Sequence, residues 1–473
     1  MKYHITPMTE TNSDTHSSTI EQIFAEFVLG LDFDDLPKDT VSAAKTFIAD
    51  TAGVGIAGYN APLAEELRQT TAGWGLVSKN GAKVLGTADK YPLASAAFIN
   101  AFQIHCQEYD CVHETAVVHP MATILGAVFS QASVLNNVSG KDIITAVVAG
   151  VEIATRLGLC VSSPLKFFRP GTAGLFGATL AIAKLRNFNA TQSISALGIA
   201  LAQCSGTMQA HIEGKPTLAF QIATAARGAI TSCDFVEGGF DGPQRSLTGP
   251  FGYLTLFEDE FDLEFLTHNL GMSFNIVDVS HKPFPTGRAA HGGLDCLQRA
   301  IQKGLTAENL ESLTLIAPPI IKRLVGRPFK QGAAVNYVRL CFPYLASRML
   351  LDGEVGLDSF TSDKRSDQRL VALSKNISVL EDGTNDPANF SPQLLKAVLK
   401  NGETIEIHMT AMPASAQRPL SHEEQYAKFE KCLSYGLGAS TETYARNLWD
   451  IFQNLEMMSF ETILEEIMNG VKL

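Results

Sequence analysis

The sequence predicts a mainly α protein with an α+β second domain: a large all-helical domain built from both chain ends, with a smaller α+β domain inserted. Three observations lead there. From about Thr19 to Phe265 apolar residues recur at helical spacing, with Gly and Ala frequent among them. Near His268 the texture changes to short β-branched runs and a turn signal. After about Pro419 helical spacing returns. With 473 residues, 45% of them hydrophobic, the chain can bury two cores. The expected boundaries are a disordered tail at 1–18, a helical domain at 19–268 and 415–473, and an α+β domain at 269–414.

Each element has its own signal. The first 18 residues are polar and rich in Ser and Thr, which reads as a tail. Ile20, Ile23, Phe24, Phe27 and Val28 share one helix face, with a start at Ser18. Val41 to Val54 continues the pattern after a cap at Asp39–Thr40. Further helices are expected at Leu93–Glu108, Met121–Asn136, Gly140–Leu157, Thr172–Leu185, Thr191–Met208 and Thr217–Val236. In the inserted region Asn275–Val279 is a β-branched run, and Arg288–Gln302 and Ala333–Leu351 read as helices. Leu310–Ala317 alternates like a strand and Ile377–Leu380 looks extended. Leu394–Leu399 and Thr404–Met409 flank Lys400-Asn401-Gly402, a hairpin turn. Ser421-His-Glu-Glu resembles a capping box for the returning helix.

Composition narrows the function. A net charge of −12 argues against nucleic acid as a partner. No apolar run reaches membrane-spanning length, and the first residues lack a signal peptide's apolar core, so a soluble, cytoplasmic protein is expected. The eight cysteines are scattered without a CxxC pair and read as buried thiols in a reducing compartment. Neither HExxH nor a cysteine cage is present, so no metal site is expected.

Chemistry concentrates in four polar breaks between apolar helices. The first holds Asp110, His113, Glu114 and His119, with His119 before Pro120 at a helix start. Histidine beside carboxylates suits proton transfer, and a helix start favours neutral imidazole and anionic ligands. The second is Phe167-Phe-Arg-Pro-Gly-Thr, where Arg169 offers a fork for a carboxylate and Thr172 could cap the helix or bind substrate. The third is His211-Ile-Glu-Gly-Lys, with Lys215 as an anion anchor or proton donor that His211 and Glu213 could tune. The fourth, His281 to His291, gathers Lys282, Arg288 and His291 around a Pro-bounded turn. Each has a plain alternative: a helix cap for His119, a surface turn for Arg169, a solvated loop for Lys215, an internal ion pair for the last group.

These four constellations, in this order, resemble the MmgE/PrpD family over about Thr19 to Leu473. The most specific parts are the Asp…His-Pro segment, the Gly-Lys loop before a helix, and Lys-Pro-aromatic-Pro followed by Arg-Ala-x-His. The resemblance implies a large helical domain and a smaller α+β domain with the active site between them. It also implies a homodimer and no metal or organic cofactor. By motif, Asp110 and His119 match the family's Asp and His-Pro histidine, Lys215 its central lysine, and Lys282 and His291 its later lysine and histidine. Two positions depart. Asp110-Cys-Val-His-Glu-Thr stands where Asp-Asp-Thr is common, and Arg169 where the family commonly has a histidine.

The expected function is therefore a cofactor-independent lyase, dehydratase or decarboxylase, acting on a small citrate- or aconitate-like polycarboxylate in an interdomain cleft. Asp110, His119, Lys282 and His291 are the expected proton carriers. His113, Glu114, Arg169, Thr172, Lys215 and Arg288 are the expected substrate contacts. An epimerase or isomerase of a small dicarboxylate such as iminodisuccinate is the alternative within the family. A carboxylate-binding protein without chemistry is the alternative outside catalysis.

Overall fold

The computed structural model describes residues 18–77, 81–384, 389–438 and 442–470. The expected tail therefore falls, apart from Ser18, outside the described residues. The architecture is mainly helical, with a small mixed sheet of four strands and a two-stranded antiparallel pair, Ala82–Lys83 with Lys90–Tyr91.

The helical part begins at Ile20–Gly30, where the Thr19 hydroxyl accepts the Gln22 amide and caps the first turn. The next helix, Lys38–Gly58, starts one residue before its expected Asp39–Thr40 cap, directly after Pro37. Leu93–His105, Pro120–Ala132, Gly140–Leu159, Arg169–Leu185 and Thr217–Glu237 then pack on one another as a bundle. Small residues decide how closely. A Cβ on Gly177 would strike the carbonyl oxygen of Gly150 on the neighbouring helix. A Cβ on Gly58 would strike the Gln103 backbone. These approaches let helices buried on nearly all sides share one dense interior. The expected helix at Thr191–Met208 is shorter, Ala190–Leu201, capped by a reciprocal Asn189–Gln192 pair.

The chain ends close this unit. Helix His422–Leu437 lies along Lys38–Gly58, and Glu442–Gln453 packs against both. The Ser421 hydroxyl accepts the Glu424 amide at 3.2 Å while the Glu424 carboxylate accepts the Ser421 amide at 2.8 Å. One hydrophobic core accordingly runs from Phe24 to Val279, takes in Leu340, and resumes from Phe429 to Ile467.

A second core spans Phe284 to Ile407. Its sheet has the order Ile377–Glu381, Leu310–Ala317, Leu394–Leu399, Thr404–His408. The first pair is parallel and the other two are antiparallel. Gly402, with φ +90°, makes the tight turn of the last hairpin. Helices His291–Gln302 and Phe342–Asp352 pack on the sheet and on each other. The expected single helix at Ala333–Leu351 is two, Val335–Arg339 and Phe342–Asp352. The chain is extended at Cys341, and Pro343, in the first turn of the second helix, has no N–H with which to continue the first. Asn275–Asp278 is a short 3-10 turn rather than extended chain. No helix among the described residues is long and apolar enough to cross a membrane.

Candidate active site

Two backbone features bring distant residues together. The C-terminal turn of helix Leu93–His105 runs into a buried loop, and Val112 of that loop forms an antiparallel bridge with Ser280. The paired bonds are Val112 N–H to Ser280 O, 3.0 Å, and Ser280 N–H to Val112 O, 2.8 Å. This bridge sets Lys282 beside Asp110. A second bridge, His113 with Val118, folds the loop back so that His119 becomes the residue before helix Pro120–Ala132. Glu108 and Val117 adopt left-handed backbone conformations, φ +54° and +52°. Such conformations cost non-glycine residues about 1–2 kcal/mol and persist only where their surroundings enforce them.

Asp110 is the hub. Its Oδ2 lies 2.9 Å from His105 Nδ1 and 3.0 Å from His119 Nδ1. A carboxylate oxygen can only accept, so both imidazoles present Nδ1–H to it and leave Nε2 as the working atom. The Lys282 ammonium is 3.0 Å from Glu108 Oε2 and 3.8 Å from Asp110 Oδ1. Asp110 and Lys282 are fully buried, while the His119 side chain retains 14% exposure and faces the open space.

The charges set the proton affinities apart. Burial disfavours the charged form of Asp110, yet His105, His119 and Lys282 outweigh it and hold the carboxyl well below its usual range. Burial acts likewise on Glu108, but Lys282 and the two histidines bring it to about 2. Burial opposes charge on His105 too, but Asp110 and Glu108 prevail and its affinity for a proton rises. His119 goes the other way: burial, then the Lys282 charge, lower it despite Asp110. Two imidazoles on one carboxylate thus differ in proton affinity, that of His105 raised and that of His119 lowered.

Of these groups His105, Glu108 and His119 open onto a cavity of about 80 Å³ between the two cores. His105, Glu108, His119, His211, Glu114 and Arg288 line it. Arg288 Nε donates to Glu114 Oε1 at 2.6 Å, and its Nη1 donates to Pro413 O at 2.7 Å. Glu114 also accepts the Ser280 hydroxyl at 3.0 Å. Arg339, fully buried, donates to Cys106 O at 2.6 Å and so fastens the second core to the turn carrying His105 and Glu108.

Of the residues singled out in the sequence, Asp110, His119, Lys282, Glu114 and Arg288 gather here. His119, Glu114 and Arg288 line the cavity, as does His211, with Asp110 and Lys282 directly behind its wall; the remaining ones are not in its lining. His291 is buried behind Arg288, accepting from Nη1 at Nδ1 and donating Nε2–H to Thr286 O. Burial, Arg288 and Lys282 push its pKa well down, so it serves as a neutral support for Arg288. His113 lines an adjoining cleft, and its Nδ1 accepts the Ala116 amide. Thr172 is buried against the Tyr253 hydroxyl at 3.1 Å. Lys215 is exposed and stands outside the lining.

Arg169 differs both from a substrate clamp and from a solvated turn. It is buried, and its Nε and Nη2 meet the two Glu258 oxygens at 3.1 and 3.3 Å. Nη1 donates to Ala116 O. The fork is occupied by the protein itself. Arg169→Lys should therefore lower unfolding free energy by about 1–3 kcal/mol, because one ammonium cannot satisfy all three acceptors. The expected kcat/KM stays within a few-fold of wild type. Urea denaturation and steady-state kinetics on the same preparation check this, and intact stability with lost activity would return Arg169 to the substrate.

His105 and Glu108 were not singled out in the sequence. His105 looks like the polar end of an apolar helix, and only its spacing of five from Asp110 hints at more. With Asp110 and His119 it also forms a set whose donor atoms lie within 4.8 Å of one another, the arrangement a metal could use. A divalent ion there would sit close to the Lys282 ammonium, which already supplies positive charge to the same carboxylates. Activity should thus persist through exhaustive chelation. Elemental analysis with assays before and after is the check, and loss restored by one added divalent ion would make the trio a metal centre.

Comparison with known proteins gives the same direction. The model of the MmgE/PrpD N-terminal domain matches residues 22–266, and that of the MmgE/PrpD C-terminal domain matches 284–453. Cis-aconitate decarboxylase of Mus musculus is 25% identical, covering 96% of this chain and 94% of its own. That of Homo sapiens is 26% identical, covering 96% and 95%. The cis-aconitate decarboxylase-like protein oryM of Aspergillus oryzae is 25% identical, covering 90% and 93%.

Proposed function

The chain belongs to the MmgE/PrpD family, and we propose that it is a cofactor-independent lyase that removes carbon dioxide or water from a small aconitate- or citrate-like acid. The observation that carries this reading is the pair of imidazoles on Asp110 Oδ2, one favouring its proton and one not. The relatives' names add the substrate class.

In the decarboxylating form, the bond to a carboxylate attached one carbon from a C=C breaks. Its electron pair forms a new C=C, the original double bond shifts its electrons to the far carbon, and a proton adds there. His105 is the donor suited to that proton, and Lys282 stabilises the negative charge that develops before it arrives. In the dehydrating form His119 Nε2 takes the C–H proton and the hydroxyl leaves as water with a proton from His105. Both forms need a proton donor held close to a cation, and dehydration needs a proton acceptor as well. The buried walls exclude bulk water, which strengthens each of these interactions.

We also read the chain as a cytoplasmic homodimer. Its eight cysteines are free, and Phe235, Phe240 and Phe251 are 49%, 61% and 78% exposed, a surface suited to a second copy. Light scattering checks the mass.

The deciding experiment is incubation with aconitate, citrate and related acids in heavy water, followed by mass spectrometry and proton NMR. Loss of carbon dioxide or water supports the lyase. Deuterium entering recovered substrate without either loss would replace it with the epimerase or isomerase reading. Neither turnover nor exchange would leave a binding protein.

A further inference from the structure

The cavity is poor in positive charge for a trianion. Its lining comprises nineteen residues, and only six carry a titratable side chain. Two of those six are the carboxylates Glu108 and Glu114. Arg288 is the one lining residue with a permanent positive charge, and its Nε is held by Glu114. Lys282 lies behind the wall, with Glu108 at 3.0 Å and Asp110 at 3.8 Å. The cation of the lining, Arg288, and the one directly behind it, Lys282, are thus each matched by a protein carboxylate, while Arg327 and Arg339, outside the lining, are bonded to backbone carbonyls. Three substrate carboxylates brought here would exchange water for walls already balanced in charge, and unpaired buried anions are costly.

The rest of the lining is apolar and comes from both cores. Leu165, Met208 and Leu218 belong to the helical side, and Leu324, Val325 and Leu340 stand at or across the junction with the smaller unit. Phe168 adds a ring beside His105, centroids 5.9 Å apart. Such a surface contributes to binding only when apolar substrate surface covers it.

We infer that the acid accepted here carries an alkyl substituent where aconitate carries its central carboxylate: a 3-alkylglutaconate-type dicarboxylate with one carboxylate to lose, one to hold and an apolar arm. This rests on the lyase reading for its chemistry. The atoms balance as before. The carboxylate on the saturated carbon leaves as carbon dioxide, its electron pair becomes a terminal C=C, and the proton adds beside the retained carboxylate, giving a 3-alkylbut-3-enoate.

Binding and turnover separate the two readings. The full chain is titrated calorimetrically with two acids that lack the double bond and cannot react, 3-butylglutarate and propane-1,2,3-tricarboxylate. Each methylene buried in an apolar wall is worth roughly fourfold in affinity, so the butyl acid should bind at least tenfold tighter. Tighter binding of the tricarboxylate would overturn the inference. Turnover is then compared for 3-butylglutaconate and cis-aconitate. A higher kcat/KM for the butyl acid is expected. A higher value for cis-aconitate overturns the inference and leaves the lyase standing. Turnover of neither, with the butyl acid bound more tightly, overturns the lyase and leaves the pocket's preference standing.

Met208→Gln and Leu324→Gln, both at partly exposed positions where a polar side chain is tolerated, locate the arm. Each should weaken the butyl acid about tenfold more than the tricarboxylate. Equal effects on the two acids in both variants would overturn the assignment of these walls to an apolar arm.

Discussion

In the dehydrating form, where His119 is the base, replacing it by glutamine is expected to lower kcat by about 10²–10⁴-fold, the range that a positioned general base contributes. The fold should survive. The side chain is partly exposed, and the glutamine amide can still donate to Asp110 where Nδ1–H did. Asp110 also keeps His105 and Lys282. What glutamine cannot do is accept a proton. The pH profile gives a sharper reading than the rate alone. Burial and Lys282 lower the His119 pKa, so the base stays competent until the pH falls below the ordinary histidine value of 6.5. His105 is raised, so the acid stays protonated above that value. Wild-type kcat/KM should be bell-shaped, its limbs lying on either side of 6.5. The variant should lose the acid limb and keep the alkaline one. Near-normal kcat in a variant with native circular dichroism and denaturation midpoint would remove His119 from the mechanism.

How much of this was legible in the sequence depends on the range of the interaction involved. The hairpin around Gly402 and the Ser421–Glu424 cap are local, so residue type and spacing were sufficient to read them. The expected helix at Ala333–Leu351 was apolar throughout, and periodicity concealed the break that Pro343 imposes. In the site, Asp110 and His119 are nine residues apart in a polar stretch and were visible. His105 was hidden because it ends an apolar helix and meets Asp110 only after the chain reverses at Glu108. Lys282 reaches Glu108 across 174 residues, through the Val112–Ser280 bridge, which no spacing rule reports. Arg169 is the instructive case. Its residue type suggested a carboxylate partner, and it has one, but the partner is Glu258, 89 residues away. Sequence pattern supplied the kind of contact and left its address open.

That same long-range pairing makes Lys282→Met the substitution with the largest expected effect on stability. The ammonium is fully buried and faces two carboxylates that are themselves nearly inaccessible. Removing one partner of a buried pair costs about 3–5 kcal/mol, because the remaining charge is stranded. The dependence on pH should change sign. In the wild type Glu108 is held at about 2 against an ordinary 4.5. The unfolded chain binds the proton more readily, so this contribution is complete above about pH 4.5 and is lost as the pH falls towards 2. Wild-type stability on this account is flat from pH 7 to 5. Without Lys282 the largest opposing charge is gone, and burial, which favours the neutral carboxyl, gains ground at Glu108. A carboxyl raised in the folded state contributes stability at low pH and loses it as the pH rises. Protonation of His105 on acidification acts in the same direction. The variant should therefore be weakest at pH 7 and recover part of its deficit at pH 5, while remaining inactive at both. Urea denaturation of the two proteins at each pH measures this directly. A deficit under 1 kcal/mol at pH 7 would mean that the pair is not a buried charge cluster, and a deficit that grows on acidification would reverse the assigned role of Glu108.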